Sequence, residues 1–271
     1  MHSSLKLLGF VIKSELRKRF PKRISRPSFE TITSVLCSPG MPFEIEQVEV
    51  DGRSLRCWKN AAPSMAALVE SSLEYGDADF IVYGDERLSY REHHRRVVAL
   101  AHQLIDRFGI TKGDRVAIAM RNYPEWSVAF WAAAAAGAVV VPLNAWWTSD
   151  ELEYGLTDSG ASLLFVDAER LERLQNIESD LPLQHVVAVR CDTVPADVTV
   201  IDSLWLDAPD KQGLPAVSIS PDDSATLFYT SGTTGFPKGT LGTHRNFCSA
   251  ALTMPFSGVQ GMLRSGDTLF D

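Results

Sequence analysis

The most apolar stretch of the chain, Trp126–Leu143 (WSVAFWAAAAAGAVVVPL), places the strongest limit on the fold. It is nearly as long as a membrane-spanning helix, but Gly137 and Pro142 interrupt it. Its five consecutive alanines would let a helix lie close against a sheet. The stretch therefore predicts a buried helix that opens at Pro124 and ends at Gly137, followed by a buried strand rich in valine.

Strands and helices alternate on both sides of this stretch. Strands are predicted in DRVAIAM (114–120), SLLFVD (162–167), HVVAVR (185–190) and SATLFYT (224–230). The segments between them have helical spacing, and Thr148 and Glu151 have the spacing of a helix capping box. Strands separated by helices in this way predict an α/β fold with a doubly wound, mainly parallel sheet flanked by helices.

A hairpin and a long helix precede the alternating region. The sequence of Asp79–Tyr90 (DFIVYGDERLSY) predicts two short strands joined by a turn at Gly84 and Asp85. Ser89 and Glu92 have the spacing of a further capping box, and apolar residues at helical intervals continue to Gly109.

Composition and charge exclude several classes of protein. Apolar residues make up 45% of the chain and charged residues 22%, as in ordinary soluble domains. The net charge of −8 argues against a general nucleic-acid binder, which needs clustered Lys and Arg. The four cysteines are far apart and form no C-x-x-C pair, which argues against a zinc site and fits the reduced thiols of the cytosol. We therefore expect a cytoplasmic protein.

The first 26 residues form a basic segment in an otherwise acidic chain. They contain eight basic residues and one acidic residue. Apolar residues recur there at helical spacing, namely Leu5, Leu8, Ile12, Leu16 and Phe20. Two interpretations stay open: a helix in peripheral contact with an anionic membrane, or a solvated leader that packs one face on the body. The segment lacks the long apolar core of a secretory signal.

The stretch Tyr229–Gly239 (YTSGTTGFPKG) is rich in glycine and hydroxyl groups and follows a predicted strand. In open α/β sheets, ligands lie beyond the carboxyl ends of the strands. Glycines let backbone N–H groups turn toward an anion, hydroxyls add donors, and a lysine adds a mobile positive charge. These parts predict a loop that binds the β- and γ-phosphates of a nucleotide. The candidate binding residues are Thr230, Ser231, Gly232, Thr233, Thr234, Gly235, Lys238 and Gly239.

The loop differs from two common nucleotide-binding motifs. It is not G-x-x-x-x-G-K-[ST], because Lys238 follows Pro237 and precedes Gly239, and it is not G-x-G-x-x-G. A hydroxyl-rich surface loop without a ligand is the alternative. The ordered arrangement of proline and lysine after a strand favours phosphate binding.

The loop resembles the phosphate-binding motif of the adenylate-forming superfamily, which includes acyl-CoA synthetases, luciferases and peptide-synthetase adenylation domains. Arg121–Asp167 resembles the helix–strand region ahead of that motif, and Thr243–Asn246 (THRN) resembles the segment after it. The likeness covers roughly Pro63–Phe256. The sequence PLN at 142–144 is more similar to fatty or aryl acyl-CoA synthetases than to adenylation domains.

The resemblance implies a two-step reaction. A carboxylic acid, expected to be a fatty acid, attacks the α-phosphate of ATP bound to Mg²⁺ and gives an acyl-adenylate and pyrophosphate. The thiol of coenzyme A then displaces AMP. ATP, Mg²⁺ and coenzyme A are thus the expected cofactors. Nothing in the sequence matches the family's catalytic lysine or its ribose-binding acid, so no catalytic residue and no protein ligand to a metal is assigned.

The resemblance also implies the incomplete N-terminal part of an adenylate-forming large domain. We expect a basic amphipathic leader at 1–27 and an irregular strand-rich lead-in at 28–62. The AMP-binding α/β region would follow at 63–256, and a truncated second subdomain would start at 257–271. Such a fragment is expected to be inactive alone. The alternatives are a non-catalytic remnant associated with nucleotide or membrane, and an amino-acid adenylation domain.

Several other residues invite a functional interpretation. His244, just past the loop, is more often structural than catalytic at a helix start. His93 and His94 lack acids or cysteines at metal-ligand spacing, so we expect them on a solvated helix face. The neighbours Trp146 and Trp147 are expected to pack rather than line a pocket.

Overall fold

The computed structural model describes residues 28–206, 213–230 and 235–265. The predicted leader at 1–27 lies outside the described residues, as do residues 266–271. The chain divides into two compact units. The larger unit is Pro63–His244, and the smaller combines the residues before Pro63 with those after His244.

The described secondary structure alternates between helices and strands. The helices are α1 (Phe29–Leu36), α2 (Met65–Ser71), α3 (Tyr90–Asp106), α4 (Pro124–Ala135), α5 (Ser149–Ser159), α6 (Ala168–Gln175), α7 (Ile201–Leu206) and α8 (His244–Ser265), with a 3-10 turn at Ser72–Tyr75. The strands are β1 (Ile45–Val50), β2 (Arg53–Trp58), β3 (Asp79–Tyr83), β4 (Glu86–Ser89), β5 (Arg115–Ala119), β6 (Val139–Pro142), β7 (Leu163–Asp167), β8 (His185–Val189), β9 (Thr199–Val200), β10 (Ser224–Thr230) and β11 (Lys238–Thr243).

The larger unit is built on a seven-stranded sheet with the order β11-β10-β6-β5-β7-β8-β9. All neighbouring strands are parallel except β10 and β11, which are antiparallel. Val116 pairs with Val140 on one side and Leu163 on the other, and every residue of β7 is buried. Strands covered on both faces need continuous apolar runs. The predicted doubly wound, mainly parallel sheet is confirmed.

The apolar stretch that dominates the sequence forms a helix and a strand, as predicted. Pro124 is the first residue of α4, and Gly137 ends the turn after it with a φ of 78°. That positive φ, with the Val217 side chain 3.0 Å from where a Cβ would stand, explains the glycine. Within the described residues, no helix is both long enough and apolar enough to cross a membrane.

One of the two predicted capping boxes is complete in the structure, and the other is only partly formed. At the start of α5, Thr148 and Glu151 bond reciprocally, so this box is complete. At the start of α3, the Ser89 hydroxyl accepts from the Glu92 N–H, but the Glu92 carboxylate binds two arginines of its own helix. This second box is therefore only half formed, because nearby guanidinium groups compete for the carboxylate.

The prediction of a solvated face for His93 and His94 was wrong. Their exposed fractions are 1% and 6%. The His93 ring lies 3.0 Å from the Ser127 hydroxyl of α4, and His94 lies 2.9 Å from the Glu70 carboxylate of α2. Helix α3 is covered by neighbours on the faces that carry both residues, and helical spacing alone cannot reveal such neighbours. Burial, more than the charge of His94, lowers the pKa of His93 to about 4.

The smaller unit has its own core. Buried side chains of α1, of the segment before β1 and of α8 pack together, namely Ile32, Val35, Leu36, Met41, Phe43 and Val259. The antiparallel hairpin β1–β2 joins this core through Trp58, whose indole N–H donates to the Thr253 hydroxyl. The sequence FEIEQVEV (43–50), in the lead-in expected to be rich in strands, alternates apolar and polar residues as a strand does, and β1 lies within it.

Candidate functional site

The glycine- and hydroxyl-rich loop joins two antiparallel strands, β10 and β11. Thr230, the last residue of β10, pairs with Lys238, the first residue of β11. Strand β10 is parallel to β6, so the loop leaves the carboxyl edge of the sheet, where ligands bind in open α/β folds. The middle of the predicted site, Ser231–Thr234, lies outside the described residues. Thr230, Gly235, Lys238 and Gly239 are described.

Strand β11 was missed by the sequence analysis, which placed a helix behind the loop. That helix exists as α8, but it starts at His244, after the whole of β11. The sequence of β11, KGTLGT, has two glycines and little alternation, so its propensity for a strand is weak. Pairing with β10 stabilises it instead. The loop therefore turns back along the sheet and does not run directly into a helix N-terminus.

Two glycines of the loop are explained by different physical causes. Gly235 has a φ of 102°, which side chains rarely tolerate, and no heavy atom of the described residues lies within 4 Å of where its Cβ would stand. At Gly239, a Cβ would lie 2.9 Å from Leu227 Cδ1 of the partner strand. The first glycine is explained by its backbone conformation, whereas the second is explained by close packing.

Helix α5 contacts the chain on both sides of the loop. The Tyr229 hydroxyl, before the loop, donates to the Asp158 carboxylate at 2.6 Å. After the loop, the Pro237 carbonyl accepts from the Tyr154 hydroxyl at 3.1 Å, and the Tyr154 and Phe236 rings lie 5.1 Å apart. Strand β10 and the end of the loop just before β11 are thus attached to one helix.

The charges around the loop suit an anion. Lys238 is exposed, so its ammonium group is accessible from solvent. Burial, followed by the hydrogen bond to Asp158, raises the pKa of Tyr229, so this hydroxyl stays a proton donor at neutral pH. The negative charge of Asp158, close to the loop, is therefore partly compensated by the hydrogen bond that Tyr229 donates to it.

A crevice of about 470 Å³ opens at the carboxyl ends of β5 and β6. Trp146 lies on its wall, 67% exposed, with the Arg121 guanidinium 4.2 Å from its ring centre. Trp147 is 8% exposed and packs in the core. The expectation that both tryptophans pack was therefore wrong for Trp146. The sequence analysis also missed Arg121, although its place directly after a strand was a usable signal.

Arg190 holds two walls of this crevice together. It follows β8 and binds the carboxylates of Glu86 at 2.7 Å and Glu125 at 3.0 Å. Its guanidinium also lies 5.2 Å from the ring centre of Tyr83 and 5.0 Å from that of Tyr123, and both tyrosines line the crevice. The hydrogen bond to Glu86 is the main cause that raises the pKa of Arg190. The hairpin β3–β4 is thus attached to the start of α4.

Residues 68–269 match the family of AMP-binding enzymes. The chain belongs to this family. The match includes the whole seven-stranded sheet, the loop after β10 and the crevice at β5 and β6.

Relatives of this chain include several CoA ligases. A 3-hydroxybenzoate/4-hydroxybenzoate–CoA ligase of Thauera aromatica is 36% identical over 60% of this chain and 30% of its own length. The long-chain-fatty-acid–CoA ligase FadD13 of Mycobacterium tuberculosis (strain H37Rv) is 34% identical over 74% of this chain and 36% of its own length. A feruloyl-CoA synthase of Amycolatopsis is 38% identical over 62% of this chain and 31% of its own length. The chain spans about a third of the length of these relatives.

Solved structures share the fold of this chain. The inhibitor-bound N-terminal domain of FACL13 from Mycobacterium tuberculosis has a TM-score of 0.59 and 28% identity, covering 67% of this chain and 44% of that domain. A long-chain-fatty-acid-CoA ligase (FadD1) from Archaeoglobus fulgidus has a TM-score of 0.62 and 24% identity, covering 76% of this chain and 46% of that protein. At that identity the second likeness shows the fold alone.

His244 is fully buried, five residues past Gly239. Its Nδ1 accepts a hydrogen bond from the Met65 N–H at 3.2 Å, so Nδ1 carries no proton and the imidazole is neutral. Burial lowers its pKa, which favours the same neutral form. Its contact holds the start of α2, which is a structural role.

Proposed function

We propose that this chain provides the ATP-phosphate-binding part of an ATP-dependent acid–CoA ligase. In the first step, a carboxylate oxygen bonds to the α-phosphorus of ATP and the bond to pyrophosphate breaks. In the second step, the sulfur of coenzyme A bonds to the acyl carbon, AMP leaves, and the thiol proton goes to solvent. The observation that supports this proposal is the loop that follows β10 at the carboxyl edge of the sheet.

The residues proposed to bind the β- and γ-phosphates are those of the loop. They are Thr230, Ser231, Gly232, Thr233, Thr234, Gly235, Lys238 and Gly239. The described ends of the loop fit a polyanion, because Lys238 is exposed and the positive φ of Gly235 suits a backbone that turns its N–H groups toward an anion. Donors aimed at the leaving pyrophosphate stabilise the charge that grows there in the transition state.

Mg²⁺ is proposed to enter with ATP rather than through a protein site. The ion prefers phosphate oxygens and retains several water ligands. Over the ranges that the structure describes, no three His, Cys, Asp or Glu residues lie close enough together to hold a metal. Coenzyme A would supply the thiol of the second step.

The carboxylic acid substrate is proposed to be a fatty acid. FadD13 of Mycobacterium tuberculosis, a long-chain-fatty-acid–CoA ligase by name, aligns with more of this chain than the hydroxybenzoate ligase does. The hydroxybenzoate and feruloyl enzymes favour an aryl acid as the second candidate.

Exchange of labelled pyrophosphate into ATP tests the proposal and separates its alternatives. The assay would use the natural protein that contains these residues, with palmitate, 4-hydroxybenzoate and leucine as trial acids. Exchange with palmitate, followed by AMP release that requires coenzyme A, is expected. Exchange with leucine alone would indicate an adenylation domain. Absence of exchange with every acid, despite ATP binding, would indicate a non-catalytic remnant.

We also propose a cytoplasmic location with peripheral membrane contact through residues 1–26. The clustered bases and helical apolar spacing of that segment support the contact. A fatty acid substrate would partition into the same membrane.

A further inference from the structure

We propose that Tyr154 and Asp158 of α5 are positioning residues for the proposed phosphate-binding loop, Thr230–Gly239. This inference rests on the proposed function of the loop. Neither residue belongs to the loop, and each lies more than seventy positions from its hydrogen-bond partner along the chain. They are four residues apart in a helix, so they lie on the same face one turn from each other.

Tyr154 fixes the orientation of the peptide that precedes the proposed phosphate-binding lysine. Its hydroxyl donates to the Pro237 carbonyl oxygen at 3.1 Å. That oxygen belongs to the same planar peptide group as the Lys238 N–H, which points in the opposite direction across a trans bond. Proline also restricts φ at position 237. Holding the carbonyl therefore fixes the direction in which the chain enters Lys238.

The ring of Tyr154 makes a second contact with the loop. It lies 5.1 Å from the Phe236 ring at an angle of 32°. Phe236 is 67% exposed, so few other described groups cover it. An exposed aromatic side chain that rests on one tyrosine has little to hold it if that tyrosine is removed. Residues 236 and 237 are thus both held by Tyr154.

Asp158 holds the opposite side of the loop. Its carboxylate accepts from the Tyr229 hydroxyl at 2.6 Å, one residue before Thr230. Tyr229 in turn packs edge-on against Trp147 at 5.6 Å, and Trp147 belongs to the core. One side of the loop is therefore fixed to α5 and the core. On the other side, Phe236 and Pro237 contact Tyr154 directly before the chain enters β11, which pairs with β10. Tyr154 is the more sensitive of the two positions, because it contacts residues of the loop itself.

The test compares Tyr154→Phe with Tyr90→Phe in the natural protein. Tyr90 loses a hydroxyl in the same way, but its ring contacts Tyr75 and Phe80 and not the loop. Pyrophosphate exchange is measured against ATP concentration at a saturating concentration of acid. Tyr154→Phe is expected to lower kcat/KM for ATP about three- to tenfold, as loss of one hydrogen bond would, and to leave the KM for the acid unchanged.

A double-mutant cycle separates positioning from general stability. In a Lys238→Ala background, Tyr154→Phe is expected to have little further effect, because the group that it positions is gone. Additive losses, or a Tyr154→Phe protein that behaves like Tyr90→Phe, would overturn the inference. Phe236→Leu provides a second test that leaves the core intact, and it is expected to lower kcat/KM for ATP as well. If the unmutated protein itself shows no exchange, the proposed function fails rather than the positioning role.

Discussion

Asp167 and Arg170 form an ion pair in which both side chains are almost fully buried, at 3% and 2% exposure. Two oxygens of the carboxylate lie 3.0 Å from Arg170 Nη1. Asp167 also caps α6 and accepts from the Arg121 N–H at 2.9 Å. The Arg170 Nε donates to the Ala145 carbonyl. This pair therefore joins the chain segments that follow β5, β6 and β7.

Asp167→Ala is expected to destabilise the protein strongly. It leaves a buried guanidinium without its main partner, and breaking such a pair typically costs about 3–5 kcal/mol. Urea denaturation of this chain would measure the change in the free energy of unfolding. Asp77→Ala, which breaks the exposed pair with Arg91, is the matched control and is expected to cost under about 1 kcal/mol. Equal losses in the two variants would contradict the account.

Gly155→Ala and Gly258→Ala are expected to have opposite effects. A Cβ at Gly155, in α5, would lie 2.5 Å from Trp147 Cζ3, and relieving that overlap would cost about 1–3 kcal/mol. No heavy atom of the described residues lies within 4 Å of a Cβ at Gly258, in α8. There the gain in helix propensity would stabilise by about 1 kcal/mol. Thermal unfolding of both variants measures this difference, and a stable Gly155→Ala protein would show that Trp147 is loosely packed.

The stability of the protein is expected to fall as the pH falls from about 6.5 to 4. Burial lowers the pKa of His93 to about 4 in the folded protein, whereas the unfolded chain takes up this proton near pH 6.5. Between these two pH values the unfolded state binds more protons than the folded state. The contribution of His93 to stability is therefore fully present above about pH 6.5, and its loss is complete below about pH 4. The total loss from His93 is on the order of 3 kcal/mol.

His93→Gln tests this assignment, because glutamine does not titrate. Urea denaturation at several pH values from 4 to 7 should give a shallower decrease in the free energy of unfolding for the variant. An identical pH dependence in both proteins would assign the proton uptake to other groups.

The basic leader gives a prediction about membranes. In a flotation assay, the intact chain is expected to rise with anionic vesicles of phosphatidylglycerol and phosphatidylcholine. A chain lacking residues 1–26 is expected to remain in the bottom fraction, without the vesicles. Neutral vesicles are the control, since they lack the charge that attracts lysine and arginine. Equal flotation of both chains with anionic vesicles would exclude the leader as the contact.

The sheet could be predicted because strands buried on both faces leave continuous apolar runs in the sequence. Strand β11 could not, because its glycines give no strand signal and its pairing with β10 is what stabilises it in the sheet. The burial of His93 depends on Ser127 and Phe80, neither of which helical spacing could reveal. Local patterns therefore identified the central strands and helices, whereas contacts distant in the chain stabilise β11 and decide which residues are buried.

The candidate site was predicted in part for the same reason. The loop is a contiguous segment whose composition carries its chemistry. The roles proposed for Tyr154 and Asp158 depend on hydrogen-bond partners that lie far away in the chain. Arg121 comes to the crevice because it lies at the carboxyl edge of the sheet, where it contacts Trp146. No spacing rule connects position 154 with position 237, and only the packing of α5 against the hairpin brings them together.

The central claim is that the loop between Thr230 and Gly239 binds the phosphates of ATP. Its most direct test is pyrophosphate exchange by the natural protein and its Lys238→Ala variant, with Lys59→Ala, an exposed lysine paired with Glu44, as control. The account predicts a rate lower by about 10²–10³ for Lys238→Ala, as for loss of one transition-state donor, and no change for Lys59→Ala. An unchanged rate of exchange in Lys238→Ala would contradict it.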